Sequence, residues 1–248
     1  MSCDTSNICN IQNCIDNCIC SAKLINPKPV IVSIDGNIGS GKSTKVFHLK
    51  NYFTQQQNNT SKRIYFLQEP VDDWHSIVDK DGTPILTNFY KDTKKFAFRF
   101  QMMAYISRLT LLRKAVKSGQ YDIIISERCV ATDRNVFAKM LYDAGDIEED
   151  EYNIYNKWYH EFLDDVPITG LIYIKASPEI CMERIKKRAR EGENIPYDYI
   201  ASCNQYHDNW IENETCNKLI IDGNQDSEIN PTILIEHLKK IEEFIYSL

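Results

Sequence analysis

From residue 27 onward, short apolar runs alternate with longer stretches whose apolar positions recur every three or four residues. The short runs, at 30–35, 64–68, 121–126, 171–175 and 219–222, are mostly apolar at consecutive positions rather than at every second one. Strands of that kind are buried on both faces, the habit of a parallel sheet covered by helices. The longer stretches, at 42–55, 95–118, 133–142, 149–163, 178–190, 197–213 and 231–246, have the length and spacing of amphipathic helices. Strand and helix in alternation predict an α/β fold with a parallel sheet. Residues 1–26, rich in Asn, Ile and Cys, carry neither period and are predicted to be a disordered tail, which leaves 27–248 as a single domain.

Composition narrows the class. A chain of 248 residues, 43% hydrophobic and 26% charged, can build a sizeable core. Its apolar runs fall far short of the ~20 residues that cross a bilayer, so no membrane association is expected. A formal net charge of -6 gives no general pull toward a nucleic acid polymer, and any polyanion must be met by a local basic cluster. Of the nine cysteines, Cys3, Cys9, Cys14, Cys18 and Cys20 sit in the tail, whereas Cys129, Cys181, Cys203 and Cys216 are scattered. The tail lacks the paired couples of a zinc site, the apolar core of a secretory signal and the arginines of a transit peptide, the first arginine being Arg63. A reducing, cytoplasmic setting is the expectation.

Between the first strand and the first helix stands Gly36-Asn37-Ile38-Gly39-Ser40-Gly41-Lys42-Ser43-Thr44, the G-x4-G-K-[ST] phosphate-binding loop in its required context. Glycines let successive backbone N–H groups turn inward around a phosphate, and the helix N-terminus adds partial positive charge. Lys42 then reaches the β- and γ-phosphates, and Ser43 can ligate Mg²⁺. Ligands of open parallel sheets lie beyond the carboxyl ends of the strands. Two of those ends carry Glu69 and the Glu127-Arg128 pair. One carboxylate can accept the proton of an attacking hydroxyl while the other helps to hold Mg²⁺, and Arg128 suits charge on a transferred phosphoryl group. Arg184, Arg188 and Arg190 complete the set. Such a basic helix end would ordinarily be a solvated surface, but beside a phosphate loop it is the local cluster that the acidic net charge requires.

Through the phosphate loop, Glu69-Pro70-Val71-Asp72-Asp73-Trp74, Glu127-Arg128 followed by Asp133-Arg134 and Phe137, and the arginine-rich 184–193, the chain resembles the deoxyribonucleoside kinases. The likeness runs from about residue 28 to the C-terminus. It implies a P-loop kinase fold, a five-stranded parallel sheet flanked by helices with an arginine-rich lid, usually as a homodimer. It also implies transfer of the γ-phosphoryl group of ATP, or another triphosphate, with Mg²⁺, to the 5′-hydroxyl of a deoxynucleoside.

Carried over from that resemblance, Glu69 is the general base and Arg128 steadies it, with Lys42, Arg188 and Arg190 at the transferred phosphate. Ser43 and Glu127 become the Mg²⁺ neighbours. Tyr90 and Glu193 bind the sugar 3′-hydroxyl, Gln101 reads the base edge, and Trp74, Phe100 and Phe137 wall the base slot. Gln101, Ala104 and Arg108, at i, i+3 and i+7, line one helix face. Arg108 with Asp133 resembles the deoxycytidine and purine deoxynucleoside group, and an Arg–Asp pair in that slot occupies the space that a thymine 5-methyl group would need. Cys129 stands where serine is usual, the lid is one residue shorter before Pro196, and Asn204 replaces a common histidine. In-line transfer needs no covalent intermediate, so Cys129 is assigned a structural role, and the acidic run 143–151 a solvated loop. Two other readings of the same loop are a nucleoside monophosphate kinase, with Arg108 or Arg134 holding the acceptor's phosphate, and a nucleotide-dependent switch without an acceptor slot.

Overall fold

The computed structural model describes residues 28–56, 61–190, 194–226 and 229–248, so the tail and Glu193 lie outside the described residues. In chain order the elements are β1 (Val30–Asp35), α1 (Lys42–Gln55), β2 (Ile64–Leu67), α2 (Val71–Ser76), α3 (Ile85–Lys91), α4 (Thr93–Ser118) and β3 (Ile123–Glu127). There follow α5 (Val130–Thr132), a π-helical turn (Asp133–Ala138), α6 (Lys139–Asp143), α7 (Glu149–Phe162), β4 (Gly170–Lys175), α8 (Pro178–Arg188), α9 (Tyr197–Asn213), β5 (Asn217–Asp222) and α10 (Pro231–Tyr246). The five strands form one parallel sheet in the order β2-β3-β1-β4-β5. This is the predicted α/β architecture.

Helices cover both faces of the sheet. Val32, Ile34, Ile125 and Ile172 pack on one side against Val46, Leu49 and Phe53 of α1 and Ile241 and Ile245 of α10. On the other side Ile31 and Ile124 meet Tyr105, Leu109 and Leu112 of α4 and Tyr155 of α7. Leu171 and Tyr173 continue that face under Phe100, Phe137 and Trp210. Each fully buried side chain of this kind stabilises the fold by about 1.5–3 kcal/mol. Parallel register brings Ser33, Leu67 and Ser126 level, so the segments leaving β1, β2 and β3 emerge at one edge.

The structure departs from the hydrophobic pattern at identifiable places. β5 is exposed at four of its six positions, because it is an edge strand that offers only Leu219 and Ile221 to α10. α2 and α3 are too short to show a period, and each starts directly after a proline, Pro70 and Pro84. α4 begins two residues earlier than its apolar pattern suggests, since the Asp92 side chain accepts a hydrogen bond from the Lys95 N–H and caps it. The predicted helix 133–142 is broken by the π-helical turn, a feature that re-aims side chains and is frequent at functional sites. α8 stops at Arg188, with Ala189 in the left-handed region at φ 48°, so Arg190 lies past the helix end. No described helix is long and apolar enough to cross a membrane.

Candidate active site

A cleft of about 770 Å³ lies across the carboxyl ends of the strands. Every site candidate lines it except Gly36 and Asn37, the first two residues of the phosphate loop, and Glu193, which lies outside the described residues. At one end the phosphate loop wraps between β1 and α1. Gly39 adopts φ 80°, and a Cβ there would come within 2.4 Å of the Cys181 carbonyl oxygen, so only glycine fits. The Asn37 side chain donates to the Ile200 carbonyl at 2.9 Å and accepts from the Ile38 N–H at 2.8 Å, which fixes the loop against α9. Lys42 donates to the Asn37 carbonyl at 2.8 Å. Burial, seconded by the Arg128 charge, lowers the Lys42 ammonium to about 7. Ser43 donates to Glu127 Oε1 at 2.6 Å.

The arginines of α8 divide their work. Arg184 donates from one guanidinium nitrogen to the carbonyls of Ser40 at 3.2 Å and Gly223 at 2.7 Å, clamping the phosphate loop to the end of β5, and its side chain also lines the cleft. Arg188 and Arg190 are exposed and line the cleft.

At the middle of the cleft, Glu69 Oε1 accepts from Arg128 at 2.6 Å and from Arg108 at 3.1 Å. Burial works to raise this carboxyl, but the two guanidinium groups and Lys42 outweigh it and hold Glu69 well below the usual carboxylate range. The Arg128 guanidinium also lies 5.1 Å over the Phe137 ring. Its backbone sits at φ 60°, unusual for a residue with a Cβ.

The far end is a slot of aromatic walls around a buried charge junction. Trp74 meets Phe100 edge-on at 5.4 Å, Phe89 stacks on Phe100 at 4.8 Å, and the Trp74 indole N–H donates to Ser107 Oγ at 3.0 Å. Arg108, 3% exposed, donates from Nε to Asp133 at 2.8 Å and from another guanidinium nitrogen to the Glu127 carbonyl at 2.7 Å. With Glu69 as its third partner, Arg108 is therefore a junction and not half of a simple pair. Burial would lower it, yet Asp133 and Glu69 push it further into the charged form. Gln101 and Ala104, on the same face of α4, are buried beside it, and Tyr90 closes the rim.

Other candidates fall out of the chemistry. Cys129 is buried and does not line the cleft, and burial pushes its thiol up to about 12, which agrees with a structural role. Arg134 does not line the cleft; it donates to Asn156 at 2.7 Å and Asn135 at 2.8 Å. Asn204 faces Asp208 at 3.4 Å, away from the cleft. The acidic run 143–151 is in part helix, because Glu149, Asp150 and Glu151 form the first turn of α7. With Arg108 committed to three acceptors and Arg134 elsewhere, neither arginine is placed to hold an acceptor's phosphate.

Sequence reasoning missed several lining residues. Leu86 and Phe89 stand beside Tyr90 on α3, a helix of seven residues whose pattern is too short to announce them. The loop Gly223-Asn224, after β5, follows from the strand-end rule already applied to Glu69. Tyr199, which lies 6.5 Å from Phe89, has no local signal.

A phosphate loop on the central strand, a carboxylate gripped by arginine beyond the neighbouring strands and arginines on the helix above define a P-loop phosphotransferase. Comparison with known proteins narrows the class. The model of the deoxynucleoside kinase family matches residues 32–245, and the chain belongs to that family. It is 36% identical over 184 residues to the fowlpox virus protein named "Probable deoxycytidine kinase FPV151", covering 73% of this chain and 71% of that one. It is 30% identical over 240 residues to human deoxycytidine kinase, covering 88% and 91%. With the mitochondrial deoxyguanosine kinase of Xenopus laevis it shares 31% over 203 residues, 74% of each chain. The protein is thus a deoxynucleoside kinase, a phosphotransferase with a nucleoside triphosphate as phosphate donor.

Proposed function

We propose that the protein transfers the γ-phosphoryl group of ATP to the 5′-hydroxyl of deoxycytidine or a purine deoxynucleoside, in preference to thymidine, and releases the 5′-monophosphate. The observation that carries this reading is the Arg108 junction. It sets a rigid, charged wall in the base slot, and the same guanidinium reaches Glu69 at 3.1 Å, so base recognition and the reacting end are mechanically joined. A wall of fixed donors and acceptors discriminates strongly against a base that cannot match it. Two of the relatives are named as deoxycytidine kinases, which agrees.

In this reading Glu69 orients the 5′-hydroxyl. Both arginines engage Oε1, which leaves Oε2 to face the acceptor. Because the carboxyl is held so acidic, it takes the proton only as the hydroxyl acidifies in the transition state, and positioning is its larger contribution. Arg128 holds Glu69 and supplies charge beside the transferred group. Lys42 and the backbone of the phosphate loop receive the donor's phosphates, while Arg188 and Arg190 exclude water from above. Tyr90 and Glu193 are assigned to the 3′-hydroxyl, Gln101 to the base edge, and Trp74, Phe100 and Phe137 to its faces.

Mg²⁺ fits the residues present. The Ser43 hydroxyl and the Glu127 carboxylate, 2.6 Å apart, are hard oxygen donors at the mouth of the phosphate loop, the small set expected of an ion that keeps water and phosphate ligands. It would neutralise charge on the donor's phosphates.

A homodimer is supported by an exposed apolar face, with Ile106 of α4, Ile154 and Trp158 of α7 and the adjoining Leu163 at 38–47% exposure. Trp158→Glu is expected to yield monomer in sedimentation. Unbridged Cys129, Cys181, Cys203 and Cys216 agree with a cytoplasmic setting. The deciding experiment is transfer from radiolabelled ATP to deoxycytidine, deoxyadenosine, deoxyguanosine, thymidine and deoxycytidine monophosphate. Turnover of the first three above the last two is expected; preference for thymidine or for the monophosphate overturns the proposal.

A further inference from the structure

Behind the cleft, at the end of β1, Asp35 is completely buried and does not line the cavity. Its two oxygens accept hydrogen bonds from the hydroxyls of Ser33 and Thr132. Thr132 in turn accepts from the Cys129 N–H at 3.2 Å, and its own N–H donates to the Cys129 carbonyl at 3.1 Å. One hydroxyl therefore ties the buried carboxylate to the turn that follows β3. Arg128 stands at the start of that turn and Asp133 at its end, where the π-helical turn begins.

The turn needs such a tie. Arg128 occupies the left-handed region at φ 60°, a conformation that persists only where the surroundings over-determine it. A carboxylate in the protein interior is itself unfavourable unless fully hydrogen-bonded, so its presence beneath two functional side chains calls for a positional explanation. We propose that Asp35 is a positioning residue for phosphoryl transfer: acting through Thr132, it holds the turn so that Arg128 meets Glu69 at one end and Asp133 meets Arg108 at the other. This rests on the proposed acceptor site.

The test uses full-length protein, ATP and deoxycytidine. Thr132→Val keeps the side chain's shape and removes the hydroxyl. It is expected to lower kcat and raise the deoxycytidine KM, for a loss in kcat/KM of roughly tenfold or more, the size of one hydrogen bond to a charged group. The KM for ATP should stay within about twofold, since the phosphate loop keeps its own tie through Asn37 to Ile200. Thr132→Ser restores the hydroxyl and is expected to rescue most of the loss. Wild-type kinetics in Thr132→Val, a Thr132→Ser variant as poor as Thr132→Val, or ATP and deoxycytidine KM values rising together each overturn the proposal. If Thr132→Val does not fold, Asp35→Asn replaces it, with the same acceptor-selective loss expected and unchanged kinetics decisive against it. Failure of the underlying acceptor-site reading would appear separately, as absence of deoxycytidine turnover in the wild type.

Discussion

In the proposed reading, one contiguous segment, 36–44, serves the donor end of the cleft with its backbone and with Lys42 and Ser43, while the Asn37 side chain holds that backbone in place. The proposed acceptor end is lined instead by side chains from separate segments: Glu69 after β2, Trp74 on α2, Phe89 on α3, Gln101 and Arg108 on α4, Asp133 and Phe137 on the π-helical turn. A backbone cradle of this kind would recognise what all nucleoside triphosphates share, and it is expected to tolerate change wherever glycine conformation and Lys42 survive. In that reading a side-chain junction selects the class of acceptor base, and its members depend on each other. Arg108 joins Asp133, Glu69 and the Glu127 carbonyl, so damage there should spread in a way that damage to the cradle does not.

The sharpest way to break this contrast is Arg108→Met. It strands Asp133 and removes one guanidinium from Glu69, and loss of one partner from a buried ion pair costs about 3–5 kcal/mol. We expect kcat/KM for deoxycytidine to fall about 10²- to 10³-fold, with a clear drop in melting temperature. Asp133→Ala should be milder, because Arg108 keeps Glu69 and the Glu127 carbonyl. Arg108→Met with Asp133→Ala should recover stability over Arg108→Met alone and gain thymidine activity, a non-additivity expected of touching residues. If kcat/KM ratios for thymidine and deoxycytidine are unmoved across the four proteins, the junction does not set base choice.

Next in size is Glu69→Gln. It removes the proposed proton acceptor while leaving the phosphate loop intact, and kcat is expected to fall roughly 10²-fold with ATP affinity retained. Near-wild-type turnover would remove Glu69 from the mechanism.

The donor end should show its own signature in pH. Lys42 sits at about 7 in the free protein against 10.5 for an ordinary lysine, and phosphate oxygens around it favour the charged form. Binding of ATP should therefore take up a proton between pH 7 and 10 and none well below 7, with affinity weakening as pH rises by at most about tenfold per unit. Calorimetry at pH 8.5 in buffers of different ionisation enthalpy reads this directly, and zero uptake would show Lys42 already charged. The smallest effect is expected from deleting residues 1–26: the family match begins at residue 32, and melting temperature and kcat/KM should stay nearly unchanged.

Alternation of apolar runs determined the α/β class, and the loop 36–44 determined phosphate binding, because both are local: a strand's burial and a backbone cradle are each encoded within about ten residues. Tertiary structure decided what those residues then do for one another. Arg108 lies 39 positions from Glu69 and 25 from Asp133, and its three-way commitment cannot be read from either spacing. Arg184 reads in sequence only as part of a basic helix end, and the fold alone shows that, while lining the cleft, it also ties the carbonyls of Ser40 and Gly223 together. Helices as short as α2 and α3 carry no period to detect, and β5 resembles a core strand until its place at the sheet edge leaves one side open. The physical reason is common to all: apolar burial and backbone geometry are written in neighbouring residues, whereas a charged side chain takes its role from partners that only chain closure delivers.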